Sequence, residues 1–104
     1  MVKHMRTGGY DYDTAEIRRE ARKIKRCCDS IAQSAIPETN KTRQILDGNF
    51  EGAAADALDA RLVSLTKDIE MLRKNLNTVY KALMRFADEL ERRDAELARI
   101  MAGK

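Results

Sequence analysis

The sequence has few residues that interrupt helices, with one proline and five glycines among 104 residues. Charged residues make up 36% and hydrophobic residues 43%, with abundant alanine, leucine, glutamate, lysine and arginine. This composition is typical of long helices or coiled coils. We therefore predict an all-α chain of one domain, with a modest core that is close-packed on itself or on a partner.

Other absences restrict the function. Nowhere do about 18 apolar residues run consecutively, which excludes a membrane-spanning helix. The basic segment 1–9 is not followed by an apolar run, so no cleaved signal peptide is expected. His4 is the only histidine, and the carboxylates are scattered among basic residues as in ordinary helix ion pairs. We expect no enzyme activity, no catalytic residue and no cofactor.

The two cysteines, Cys27 and Cys28, are neighbours in the sequence. On a helix their side chains point about 100° apart, and no second cysteine pair or nearby histidine completes a tetrahedral metal site. The sequence therefore predicts no metal site. Cys28 falls on the apolar stripe and is interpreted as a small core residue, whereas Cys27 lies at its edge, where it is either available for an interchain bond or inert.

Residues 1–13 are expected to be disordered or to include residues added for expression, and a first helix is predicted over 14–47. Asp13-Thr-Ala-Glu16 is a helix-start pattern in which Asp13 or Thr14 caps free N–H groups. Apolar residues then recur at spacings of three and four, which is a heptad seam: Ile17, Ala21, Ile24, Cys28, Ile31 and Ala35. Pro37 either ends or kinks this helix. We favour a kinked helix that resumes as far as Asp47, with Thr42 and Ile45 or Leu46 continuing the seam.

Residues 47–52 are predicted to form the turn of an antiparallel helical hairpin. Asp47-Gly48-Asn49 is turn chemistry, because glycine tolerates positive φ at a helix C-terminus and asparagine caps a following helix. Phe50 and Gly52 are interpreted as a packing pair where the two helices approach closely. The predicted turn motif is therefore Asn49, Phe50 and Gly52.

The second helix is predicted over 53–101, and the same heptad period runs along it. It would span about 70 Å, against about 50 Å for a first helix that ends at Asp47. An antiparallel hairpin would thus leave the end of the second helix without an internal partner, as a surface for a partner or for export: Phe86, Leu90, Leu97 and Ile100. Exposed apolar surface of this extent predicts a dimer, with a four-helix bundle made by two hairpins. The predicted seam comprises Ile17, Ile24, Ile31, Leu62, Leu65, Ile69, Leu72, Leu76, Val79 and Leu83.

Residues 18–26 hold six basic residues and one acidic residue, the strongest local charge bias in the chain. A basic helix face binds phosphates through counterion release, so a nucleic-acid-binding module is the alternative function. The stripe of Ile17, Ala21 and Ile24 is already committed to the seam, and no aromatic residue is interleaved with the charges. We therefore favour a solvated or partner-facing surface over a polyanion site. The alternative polyanion face comprises Arg18, Arg19, Arg22, Lys23, Lys25 and Arg26.

Phe50-Glu51-Gly52-Ala53-Ala54, at the turn of a hairpin of this length, resembles the WXG family of small type VII secretion proteins, the early-secreted-antigen-like proteins of Gram-positive bacteria. Phenylalanine stands where the family has tryptophan. The resemblance implies synthesis in the cytoplasm of a Gram-positive bacterium, secretion or envelope association without a cleaved signal peptide, and a function that consists of protein association. The implied partners are a related hairpin, in a homodimer or heterodimer, the helical targeting domain of a toxin, and the secretion machinery.

The family's export signal, Tyr-x-x-x-Asp/Glu after the second helix, has no match at the corresponding place. Tyr80 is followed four residues later by Met84, and Tyr12 with Glu16 has the spacing but lies at the other end of the chain. The resemblance therefore implies one of two roles. The chain is exported with a partner that supplies the signal, or it is an accessory protein that binds the targeting domain of a toxin.

Overall fold

A computed structural model of the protein describes residues 4–7 and 10–103. Two short strands, β1 (His4–Thr7) and β2 (Tyr10–Asp13), pair antiparallel, with His4 opposite Asp13 and Thr7 opposite Tyr10. Residues 1–13 were expected to be disordered or to include residues added for expression, and this stays a prediction; residues 1–3, 8 and 9 lie outside the described residues. Two consecutive glycines separate the strands in sequence, and Gly-Gly favours a tight hairpin.

The first helical arm begins with α1 (Thr14–Ser30). The backbone N–H of Glu16 donates a hydrogen bond to Oδ1 of Asp13 (3.0 Å), so Asp13 is the residue that caps the helix. Thr14 is almost fully buried, with 1% exposure. The start of the helix is thus held by one capping contact and by burial of its first residue.

The arm continues through a π-helical segment (Ile31–Ala35) into α2 (Ile36–Asn49). The N–H of Ile36 donates to the carbonyl of Ile31, five residues back, which is the π pattern. Pro37 follows this wider turn directly and occupies the first turn of α2, where its missing N–H is tolerated. The helix therefore passes Pro37 and ends at Asn49.

The π segment moves the buried face of the arm by one residue. Before it, the buried and half-buried positions follow the predicted seam; after it they are Thr39, Arg43 and Leu46. Thr42 and Ile45, which would have continued the uninterrupted heptad, are exposed. A π turn inserts one extra residue, which turns everything after it by about 100°.

The second arm is a single helix, α3 (Ala53–Ala102), of 50 residues. The protein is thus an antiparallel helical hairpin with a long second helix, as predicted. It divides into two compact units, which we call the terminal unit (1–25 with 78–104) and the turn unit (26–77). In the terminal unit Ala21, Ala87 and Leu90 are buried, and in the turn unit Cys28 is buried.

Candidate functional site

The turn is built by hydrogen bonds that close the first arm. The N–H of Phe50 donates to the carbonyl of Leu46 (3.0 Å), and the side-chain amide of Asn49 donates to the carbonyl of Ile45 (2.8 Å). The Asn49 side chain therefore adds a hydrogen bond to the last turn of α2. The expectation that it caps the start of α3 is wrong, because α2 extends to Asn49 itself.

Gly52 is the described glycine with positive φ, at 105°. Its carbonyl accepts a hydrogen bond from the N–H of Asp56 (3.1 Å), which starts α3. A Cβ added at Gly52 would meet nothing within 4 Å, so glycine is needed there for its backbone conformation and not for close packing. Gly48, the glycine expected to have positive φ, lies within α2.

Phe50 is not packed against a small residue at the corner. Its backbone is extended (φ −132°, ψ 140°) and its side chain is 58% exposed. The predicted packing pair of Phe50 and Gly52 is therefore wrong, since the ring lies on an open groove instead. We call this the tip groove, and it is lined by Leu46, Phe50, Glu51, Ala54, Ala55 and Leu58.

Charge around the tip groove is of one sign. Between Arg43 and Arg61 the sequence has four carboxylates and no lysine or arginine: Asp47, Glu51, Asp56 and Asp59. Asp59 is half-buried and accepts hydrogen bonds from Nε and Nη2 of Arg43 (2.9 and 3.3 Å), which lower the pKa of the Asp59 carboxyl and raise that of the Arg43 guanidinium. This pair joins the two arms within the turn unit.

The apolar residues of α3 form two rows that differ in exposure. The first, the inner row, is half-buried or buried: Leu62, Ile69, Leu76, Leu83 and Leu90. The second, the outer row, consists of Leu58 (46% exposed), Leu65 (48%) and Leu72 (51%) in the turn unit and, at the same spacing of seven residues, Val79 (44%) and Phe86 (46%) in the terminal unit. Asp59 and Arg73, which lie three or four residues from inner-row residues, contact the first arm. The predicted seam residues of α3 therefore belong to two rows that differ in exposure.

The first-arm residues of the predicted seam, Ile17, Ile24 and Ile31, are half-buried. Cys28 is buried, and its thiol donates to the carbonyl of Arg73 (3.6 Å), whereas Cys27 is exposed. Both cysteines have the environments predicted from the stripe. Three of the ten predicted seam residues, Leu65, Leu72 and Val79, remain open to solvent.

The end of α3 has more internal contacts than the sequence suggested. Leu90 is buried (4% exposed), which contradicts its prediction as an unpartnered surface residue. Nη2 of Arg18 donates to Oδ1 of Asp88 (2.8 Å) and to Oε1 of Glu91 (2.7 Å), so the first turns of α1 lie beside this part of α3. The other predicted surface residues are exposed: Phe86 (46%), Leu97 (51%) and Ile100 (56%).

The basic face of α1 is used in part by ion pairs. Hydrogen bonds to Glu91 and Asp88 raise the pKa of Arg18, whose side chain is only 19% exposed. Arg19 pairs with Glu16, and Lys23 donates to Glu20 (2.9 Å), which lowers the pKa of the Glu20 carboxyl. Arg22, Lys25 and Arg26 are exposed. The structure therefore does not bring the six predicted basic residues together as one open face.

Across the described part of the chain, no three histidine, cysteine or carboxylate residues are placed to hold a metal ion. The helices there also contain no segment long and apolar enough to cross a membrane.

A hairpin turn with an aromatic residue two positions before a positive-φ glycine, followed by an alanine-rich helix start, is the arrangement on which the resemblance rests. The model of the WXG100 family, described as proteins of 100 residues with WXG, matches residues 9–95. The chain belongs to the WXG100 family. The match spans both arms and the turn, and it includes Phe50-Glu51-Gly52.

WXG100 proteins are associated with type VII secretion and typically pair as dimers. Comparison with curated proteins and with solved structures gives no significant match. The tip groove and the split of the α3 seam into two rows could not be inferred from the motif. The fixed spacing of seven residues in the outer row was visible in the sequence, but its exposure depends on which face of α3 contacts the first arm.

Proposed function

We propose that the chain acts by association, as a WXG100 protein that pairs with a second helical hairpin to form a four-helix bundle. The observation that supports this is the outer row. In the turn unit Leu58, Leu65 and Leu72 are each about half exposed, although they are leucines at heptad spacing on a helix whose inner row already faces the first arm. Leucines at this spacing are the side chains that pack between helices.

The offset between the inner and outer rows of α3 is the arrangement expected in a four-helix bundle. In a four-helix bundle each helix contacts two neighbours through different parts of its apolar face. The inner and outer rows of α3 are offset by three or four residues, so they share one broad apolar face but point in different directions. One neighbour is the first arm of the same chain, and the outer row is left for the second hairpin.

The partner is either a related small hairpin or the helical targeting domain of a toxin. In both versions the chain is made in the cytoplasm of a Gram-positive bacterium and acts at or beyond the cell envelope as part of a type VII secretion complex. The family membership supports this setting. The two versions differ in the gene next to that of the chain: a second small hairpin, or a long protein with a helical N-terminus and an enzymatic C-terminus.

The test is the mass of the chain in solution, alone and with the product of the neighbouring gene, by sedimentation equilibrium at micromolar concentration. We expect a dimer in at least one of the two samples. Leu65→Asp with Leu72→Asp should give a folded monomer, because two carboxylates would have to be desolvated in the interface. Ala60→Asp with Ser64→Asp adds the same charges at exposed positions outside the outer row and should leave the dimer intact. A monomer in both wild-type samples would contradict the proposal.

A further inference from the structure

The tip groove is an apolar surface with a one-sided charge, and association through the outer row does not use most of it. We propose that the tip groove docks a basic amphipathic helix of a partner protein that is not a second copy of this chain. This interaction goes beyond the bundle proposed above, because it assigns a separate surface at the hairpin turn and a partner of stated chemistry.

The lining of the tip groove is mostly apolar. Phe50 is 58% exposed and Leu58 46%, and Leu46, Ala54 and Ala55 complete the apolar lining. Exposed apolar surface of this kind, with a polar rim, marks interaction sites. Four of the six lining residues belong to α2 or α3, so a partner meets mainly side chains there, as when the apolar stripe of a helix lies in a groove.

The rim determines the charge of the partner. Glu51 lines the groove, and Asp47 and Asp56 flank the lining residues in the sequence; all three are exposed. Within the part of the chain that the structure describes, none of them is in an ion pair, although the charge of Asp47 helps to raise the pKa of Arg43. Of the four carboxylates between Arg43 and Arg61, Asp59 is the one held in an ion pair, with Arg43. The chain as a whole carries a net charge of +3, so the tip is an acidic patch on a basic protein. Lysines and arginines beside the apolar stripe of a helix would meet these carboxylates.

The same charges argue against a symmetric contact between two tips. A twofold interface brings the same surface patch of two chains together, so the acidic residues of one tip would lie beside those of the other. Like charges in such a contact repel one another. A basic helix removes this repulsion and covers Phe50 and Leu58 at the same time.

The π segment leaves Ile45 exposed one position before Leu46, which lines the tip groove. Without its extra residue Ile45 would continue the buried seam, whereas in the structure Leu46 takes the inward position and Ile45 is 50% exposed. The exposed apolar surface at the turn is therefore a consequence of the register of the first arm. Ile45, Phe50 and Leu58 all belong to the turn unit.

The test uses the full chain and two labelled peptides that differ only in charge. Both are amphipathic helices with leucines at spacings of three and four; one has lysine and the other glutamate at all remaining positions. We expect fluorescence anisotropy to show binding of the lysine peptide, weakening as salt is added, and no binding of the glutamate peptide. Attraction by net charge alone would give the opposite order, because the chain is +3.

Variants locate the site. Two variants should each lower the affinity for the lysine peptide about tenfold, which is the loss expected for an interface anchor. One is Phe50→Ala, and the other combines Asp47→Asn, Glu51→Gln and Asp56→Asn. Phe86→Ala removes an exposed ring elsewhere on α3, and Glu38→Gln with Asp68→Asn and Glu96→Gln removes three exposed carboxylates outside the tip; neither control should change the affinity. Circular dichroism checks that every variant remains helical.

Three results would overturn the proposal: equal binding of both peptides, loss of binding in the Phe86→Ala control, or unchanged binding in both tip variants. A fourth is a change in the sedimentation mass of the chain alone on Phe50→Ala, which would make a second copy the occupant. The Leu65→Asp and Leu72→Asp variant separates this proposal from the bundle. This variant should lose the dimer and bind the lysine peptide with the affinity of the wild type. Sedimentation therefore tests the bundle, and peptide binding tests the tip groove independently.

Discussion

Gly48 and Gly52 lie four residues apart, and substitution by alanine should have opposite effects on stability at the two positions. Gly48 is inside α2 with open space around it, so Gly48→Ala should raise the free energy of unfolding by about 0.5–1 kcal/mol through the smaller entropy of the unfolded chain. Gly52 has φ of 105°, and Gly52→Ala should lower it by about 1–3 kcal/mol although nothing is near its Cβ. Urea denaturation of the two variants measures both values. Equal effects would mean that the backbone at Gly52 is not constrained.

The Arg43–Asp59 pair gives the turn unit a defined sensitivity to acid. Arg43 lowers the pKa of the Asp59 carboxyl in the folded chain, so the pair stabilises above the unfolded pKa of about 3.9, and this stability is lost as the pH falls through the folded pKa. The free energy of unfolding should therefore drop below about pH 4. Asp59→Asn should remove this part of the pH dependence and leave the remainder, as measured by urea denaturation from pH 7 to pH 2.5. An unchanged pH profile in Asp59→Asn would show that the pair contributes nothing in solution.

At the scale of one element, the π segment has a physical reason. An uninterrupted heptad after Ala35 would turn Glu38, Thr42 and Ile45 towards the second arm. Burying Glu38 without a partner is costly, and Arg43 would be turned away from Asp59. The extra residue keeps Glu38 exposed and places Arg43 at 2.9 Å from Asp59. The first arm thus avoids a buried carboxylate by inserting one residue before Pro37.

The corresponding prediction compares two single-residue deletions, both made in a Pro37→Ala background so that the proline affects neither. Deletion of Ser34, inside the π segment, should convert it to α-helix and keep Arg43 and Leu46 facing inward, with a change in unfolding free energy of about 1 kcal/mol or less. Deletion of Asn40 should cost about 3 kcal/mol or more, because it rotates both residues outward if the π segment persists and turns Glu38 inward if the π segment converts to α-helix. Both deleted residues are exposed. Equal losses in urea denaturation would contradict the role given to the π segment.

These elements also show how far the sequence predicts this fold. The heptad spacing and the scarcity of glycine and proline were sufficient for the hairpin and for the burial of Cys28. The heptad period alone does not show which of two adjacent rows of α3 faces the first arm of the same chain. The sequence therefore places Leu62 and Leu65 in one seam. Ile45 and Leu46 were indistinguishable because a π turn leaves no clear signature in sequence. Which of the two glycines has a positive φ depends on the residue at which α2 ends. A sequence pattern does not fix the last residue of a helix, so the pattern could not distinguish Gly52 from Gly48.

At the scale of the whole molecule, charged substitutions in the two rows of α3 should have different effects: loss of folding for the inner row and loss of association for the outer row. Leu76→Asp with Leu83→Asp places carboxylates in the inner row and should unfold the chain at every concentration, as seen by loss of helical circular dichroism. Leu65→Asp with Leu72→Asp should leave a folded hairpin whose melting temperature no longer rises with protein concentration, whereas that of a wild-type dimer does so by mass action. The matched outer-face variant Ala60→Asp with Ser64→Asp should keep the wild-type dependence. Complete unfolding of the outer-row variant would mean that the hairpin is not stable without its partner. The few buried apolar residues, Ala21, Cys28, Ala87 and Leu90, would then be too small a core to keep the single chain folded.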